Sequence, residues 1–149
     1  MKLDETNKAI IRLLEDGRKP FSAVAEEIGV TENTVRSRVN RLIDDGILKI
    51  SGLVNPELLP DMQVAIMGVK LSTLDLEKKA KEFLSLRGVF SVIVVTGRYD
   101  LIVQFVTGND EGNSLLNFFK NELSKIKDVA DVETFVCYQA HNYCIPFVG

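Results

Sequence analysis

The sequence predicts an α+β protein in two parts, a small helical N-terminal domain followed by a larger βαββαβ domain. Three observations carry that reading. In the first 45 residues, apolar side chains recur at helical spacing in three short segments punctuated by Gly and Thr. Asn55-Pro56 and Pro60-Asp61 then interrupt every regular pattern. Beyond them, runs rich in β-branched residues alternate with amphipathic helical segments.

Asp4 is placed to cap a first helix on which Ala9, Ile10, Leu13 and Leu14 share a face, ending at Asp16-Gly17. A second helix runs from Phe21 or Ser22 to Ile28, with Val24, Ala25 and Ile28 apolar, and Gly29-Val30 forms a tight turn. Thr31 caps a third helix that reaches Asp45 and stops at Gly46. The segment from Ile47 to Val54 reads as one strand or a two-stranded wing, which would complete a winged helix-turn-helix. The expected organisation is a domain over 1–54, a linker over 55–61 and a second domain over 62–149.

In the second domain, Gln63 to Ser72 is strand-like, and Asp75 to Leu86 is a helix with Leu76, Ala80, Phe83 and Leu84 on one face. Val89 to Thr96 and Leu101 to Thr107 are strands joined by the turn Gly97-Arg98-Tyr99-Asp100. A helix follows from Asp110 to Ile126, with Leu115, Phe119, Leu123 and Ile126 inward, and Val129 to Tyr138 is the last strand. This order is the ferredoxin-like split βαβ arrangement.

Charge and composition narrow the function. The N-terminus lacks a signal-peptide pattern and no apolar run approaches a membrane span, so a cytoplasmic protein with no membrane partner is expected. Cys137 and Cys144, with His141 between them, lack zinc-site spacing and a fourth ligand; they read as small packed hydrophobes, and no metal or cofactor is expected. No paired carboxylates, Ser/His/Asp set or Gly-rich phosphate loop is visible, so no catalytic residues and no enzyme are expected. The net charge of −3 resides in residues 55–149; residues 1–54 carry nine acidic and nine basic side chains. A neutral domain argues against an architectural DNA protein, whose affinity rests on phosphate neutralisation.

The cations of the first part are clustered. At 100° per residue, Val35, Val39 and Leu42 of the third helix share a narrow inward face. Asn33, Ser37, Asn40 and Arg41 lie opposite, flanked by Arg36 and Arg38, with Thr31 and Thr34 at the helix start. Arginine reads guanine or phosphate, Asn pairs with adenine, and Ser and Thr donate to either. A solvated face usually mixes Glu with Lys; here acid is nearly absent over two turns. A short helix, a Gly turn and a longer helix of this kind resemble a helix-turn-helix, whose second helix enters the major groove of double-stranded DNA, although three-helix bundles also occur as interaction modules.

These residues resemble the Lrp/AsnC regulators, also called feast/famine regulators. The likeness runs through Leu3-Asp4, Ile10 to Leu14, Asp16-Gly17-Arg18, Ile28-Gly29-Val30-Thr31, Thr34-Val35, Arg38-Val39, Arg41-Leu42, Asp45-Gly46-Ile47 and Asn55-Pro56. It resumes at Val95-Thr96-Gly97-Arg98-Tyr99-Asp100-Leu101 and Thr134. The resemblance departs at Asn7, where a second acidic residue is usual, and at Pro60, where Gly is common; both are scaffold positions. It implies a DNA-binding regulator whose ferredoxin-like domain binds a small effector, usually an amino acid, and which forms homodimers assembling further, often to octamers.

The expected effector set is Gly97, Arg98, Tyr99, Asp100, Asp110 and Thr134. Asp100 or Asp110 would meet an ammonium; Arg98 or the amides of Gly97 to Tyr99 would meet a carboxylate. The competing account makes the turn a plain hairpin in which Asp and Gly serve only the fold. Tyr138, Tyr143 and Phe147 read as oligomer contacts or core, and the open edges of a small sheet invite pairing with a second subunit.

Overall fold

The computed structural model describes residues 3–108, 110 and 112–148. It divides into two compact units, one ending at Gly52 and one beginning at Leu53. The first holds α1 (Glu5–Leu13), α2 (Phe21–Ile28) and α3 (Glu32–Asp44). Asp4 caps α1 by accepting the Asn7 amide at 2.7 Å, and Thr31 caps α3 by accepting the Thr34 amide at 3.2 Å. Each cap satisfies a backbone donor that has no partner inside the helix. The apolar stripes meet in a core of Ile10, Leu14, Val24, Ala25, Val35 and Val39.

The expected wing does not form. Residues 47–52 carry no regular structure, and only β1 (Leu53–Val54) is extended. The amides of Ile47 and Leu48 both donate to the Leu42 carbonyl, at 2.9 and 3.0 Å. They close the C-terminus of α3 instead of entering a ladder, and Leu48 packs against the helical core. β1 pairs antiparallel with β6 (Ile145–Pro146), a strand the sequence pattern did not foretell.

The second unit is α+β. Its sheet has the order β3-β4-β2-β5, built from β2 (Gln63–Leu71), β3 (Val89–Val94), β4 (Leu101–Thr107) and β5 (Val129–Val136), with antiparallel neighbours throughout. α4 (Leu76–Leu84) follows β2, and α5 (Leu115–Asn117) follows β4, continuing as a widened turn at Phe118–Glu122 and a tight turn at Leu123–Lys125. One sheet face supplies Ala65, Met67, Val69, Leu101, Val103 and Phe105, which close on Phe83, Leu86 and Phe118. Phe105 and Phe118 stack with centroids 4.1 Å apart.

The second helix of this unit begins later than expected. From Asp110, the chain makes a turn in which the Asp110 carboxylate accepts the Asn113 amide at 2.9 Å and its side-chain amide at 2.8 Å. Short polar side chains of this kind compete with helical bonds. Ser114 then caps α5 by accepting the Asn117 amide at 3.2 Å. β5 stops at Val136, two residues short of the expected Tyr138, and His141 is exposed beyond it.

Candidate nucleic-acid interface and effector site

On α3, Val35, Val39 and Leu42 are buried, which fixes the opposite side as the outward face. Asn33, Arg36, Ser37, Asn40 and Arg41 are all exposed and, with Asp44, line one shallow groove along the helix. Arg36 is steadied by Glu32 at 2.6 Å and lies over the Phe21 ring, 5.4 Å from its centroid. Arg41 reaches Asp45 at only 3.8 Å, too long for a strong pair. Thr31 is exposed and Thr34 half-buried, their hydroxyls 2.9 Å apart at the start of the helix.

Arg38 does not stand with this group. Its guanidinium donates to Asp4 at 2.7 Å and to the side chain of Asn7 at 2.9 Å, tying α3 to the start of α1. Asn7 is only 7% exposed, so its carbonyl oxygen depends on that donor. The Arg38 bond, helped by the Asn7 amide, holds the Asp4 carboxyl below its ordinary value. Helical periodicity cannot reveal this, because a flanking position points to solvent or to a neighbour according to the tertiary fold.

In the second unit, Gly97, Arg98, Tyr99 and Asp100 are brought together with two residues that sequence reasoning missed, Gly68 and Glu133. Gly97 has φ of 120°, a conformation that side chains disfavour, and it turns the chain back toward β4. The Tyr99 ring lies directly on Gly68, where a Cβ would come within 2.7 Å of the ring. Its hydroxyl donates to Glu133, which stands opposite Gly68 in the β2–β5 register. Arg98 approaches Glu133 at 3.3 Å and packs 5.4 Å from the centre of the Tyr99 ring. A glycine in β2, some thirty residues before the turn, gave no signal in sequence, and an acid in a strand reads as ordinary.

Asp100 is occupied. Its carboxylate accepts the Leu71 amide at 2.8 Å and Lys70 Nζ at 2.9 Å, and its own amide donates to the Val69 carbonyl at 2.8 Å. The Leu71 amide and then Lys70 keep its carboxyl below the ordinary carboxylate range. Asp100 therefore fastens the turn to the end of β2. Asp110 lies past the far end of β4, a seven-residue strand that spans roughly 20 Å, and its carboxylate is used in its own turn. Thr134 pairs with Met67, so it faces the side of β5 opposite Glu133, and its hydroxyl is buried without a hydrogen-bond partner. Within one chain, neither joins the Gly97–Asp100 group.

Among the described residues, no three His, Cys, Asp or Glu side chains gather as a metal-binding group. Cys137 is half-buried, and burial raises its thiol pKa; Cys144 is exposed. No described helix is long and apolar enough to cross a membrane.

Comparison with known proteins bears on both sites. Residues 3–43 match the AsnC-type helix-turn-helix domain, and residues 64–143 match the Lrp/AsnC ligand binding domain. An uncharacterised HTH-type transcriptional regulator of Pyrococcus abyssi is 36% identical over 138 residues, covering 91% of this chain and 86% of that one. The crystal structure of PH0061 superposes with a TM-score of 0.83 at 24% identity, over 97% of this chain and 99% of that one. The transcriptional regulator NMB0573 of Neisseria meningitidis, solved as a complex with L-Met, gives a TM-score of 0.73 at 21% identity, over 98% and 96%. A helix-turn-helix with a cationic outward face, followed by an antiparallel α+β domain, is thus matched along nearly its whole length, and the chain belongs to the Lrp/AsnC family of DNA-binding transcription regulators.

Proposed function

We propose that the protein is a sequence-specific regulator that reads a two-fold operator with α3 and is modulated by an amino acid bound between C-terminal domains. The observation that carries the first part is the shared exposure of Asn33, Arg36, Ser37, Asn40 and Arg41 on one face of α3. Thr31 and Thr34 contribute phosphate or base contacts from the helix start, and Arg38 holds the reading helix in place through Asp4 and Asn7. The unit that ends at Gly52 serves DNA binding, and the unit that begins at Leu53, which takes in the expected linker 55–61, binds effector and self-associates.

The effector site is centred on Gly97, Arg98, Tyr99 and Asp100, with Asp110 and Thr134 supplied from elsewhere in the assembly. Arg98 and the turn amides suit a carboxylate, and Glu133, 3.3 Å from Arg98, supplies an acid beside them. The L-Met complex of the structurally similar regulator supports an amino acid as ligand. Because Asp100 is spent on Lys70 and Leu71, its role is to position the turn.

Self-association proceeds through the sheet edges, giving dimers that assemble further, up to octamers. Ile93 and Val94 on edge strand β3, and Phe135 and Val136 on edge strand β5, are all more than two-fifths exposed. A two-fold dimer would present two copies of α3 to a pseudo-palindromic site. The chemistry of the family is regulation rather than catalysis, and no enzymatic activity is assigned.

The deciding experiment is binding to the DNA upstream of the protein's own gene, at physiological salt with excess competitor DNA, with and without a panel of amino acids. Retained, ladder-like binding that one amino acid shifts is the expected result. Equal loss to any competitor sequence would overturn sequence specificity, and indifference to every amino acid would overturn the effector role.

A further inference from the structure

Among the described residues, Arg36 alone of the five side chains on the outward face of α3 is held on two sides. Its Nη2 donates to Glu32 at 2.6 Å, one turn earlier on the same helix. Its guanidinium carbon also lies 5.4 Å from the centre of the Phe21 ring, at the first residue of α2. Phe21 is half-buried and packs against the helical core, so the ring is a fixed platform. The other two arginines of α3 differ. Arg41 is 75% exposed with one loose contact, and Arg38 is turned inward to Asp4 and Asn7.

This arrangement bears on what Arg36 can read. An unrestrained arginine loses rotamer freedom on binding, and it can take a phosphate as readily as a base. The carboxylate of Glu32 neutralises the guanidinium, which weakens its attraction to phosphate. It engages Nη2 and leaves Nη1 uncommitted among the described residues, so a fork of N–H donors remains for the O6 and N7 acceptors of guanine. Glu32 does not itself line the groove that Arg36 shares with Asn33, Ser37, Asn40 and Arg41, and therefore acts from beside it. A Glu and an Arg four positions apart can serve a helix alone, and an acid suits its start. That account leaves the Phe21 platform without a purpose, and an exposed pair adds little stability.

We infer that Glu32 and Phe21 are positioning residues that aim Arg36 at one guanine in the sequence read by each α3 and turn it away from phosphate. The inference rests on the reading that α3 enters the major groove, and it adds two residues, one from each helix, to the determinants of specificity.

The test is selection of duplexes from a random pool by the full chain, followed by titration of single base-pair variants of the selected site. The native chain should select a G·C pair whose replacement weakens binding about tenfold or more. Arg36→Lys, which cannot make the paired contact, should lose that preference. Glu32→Ala and Phe21→Leu should select the same site relaxed at that position alone, whereas Glu32→Gln, which keeps an acceptor, should retain the guanine. A freed Arg36 takes a phosphate, so Glu32→Ala should also bind random duplex more tightly. Its log affinity should fall more steeply with log salt, by a slope of about 0.9. Melting curves identify a variant that fails to fold, and Glu32→Ala carries the test if Phe21→Leu does. Guanine preference retained in Glu32→Ala, or discrimination lost evenly at every position, would overturn the inference and leave α3 as the reader. A native chain that selects no sequence would overturn it together with the reading of α3.

Discussion

Two arginines three positions apart on α3 show how chemistry at the residue scale depends on partners. Arg41 has only a loose contact with Asp45, so Arg41→Ala should cost about 1–3 kcal/mol of specific DNA affinity. Its melting temperature should stay near that of the native chain. Arg38→Ala removes the donor to buried Asn7, and an unsatisfied buried group costs about 1–3 kcal/mol of stability. Thermal denaturation beside an operator titration separates the two roles: unchanged melting of Arg38→Ala would refute the assignment. Gly68 is the corresponding residue of the second unit. Gly68→Ala drives a methyl into the Tyr99 ring, and overpacking of that kind costs about 1–3 kcal/mol. Loss of the Tyr99–Glu133 bond would follow, and near-ultraviolet circular dichroism should register the displaced tyrosine.

At the scale of elements, caps and turn fastenings set stability. Thr31→Ala removes the acceptor for the Thr34 amide and should destabilise α3 by about 1 kcal/mol in denaturant unfolding. The β3–β4 turn is held by a carboxylate whose pKa is depressed by the Leu71 amide and Lys70, and Asp4 is depressed by Arg38. A carboxyl whose folded pKa lies below its unfolded value contributes stability above the unfolded pKa, and that stability is lost as pH falls through the folded one. Both units should therefore lose stability below about pH 4, and Asp100→Asn should flatten that dependence in the second unit. A melting temperature that holds steady from pH 5 to 3 would contradict this. Helix starts at Asp4 and Thr31 were legible because capping is local, as was the strand β4, whose alternation is strict. The wing was not legible, because the competing use of the Ile47 and Leu48 amides arises only once α3 has closed.

For the whole molecule, the free edges of β3 and β5 and their exposed apolar side chains call for a partner. Phe135 is 52% exposed, so Phe135→Glu should leave the isolated fold intact while breaking the oligomer, as read by light scattering. Weakened operator binding should accompany it, since the proposed two-fold dimer would bind through two recognition helices at once. An unchanged oligomer would move the interface away from this edge. By itself the sequence determined the two-part α+β architecture, the helix-turn-helix, the βαββαβ order and the cationic face of α3. All of these rest on periodicity and capping, which act between residues a few positions apart. Only the tertiary structure decided that Arg38 is a tie to α1, that Asp100 is a clasp on β2, and that Gly68 and Glu133 belong with Tyr99. It also separated Asp110 and Thr134 from that group and paired β1 with β6. Those outcomes depend on which strands become neighbours and in what register. The pairing is set by burial of the sheet's apolar face across the whole chain, which no local pattern encodes.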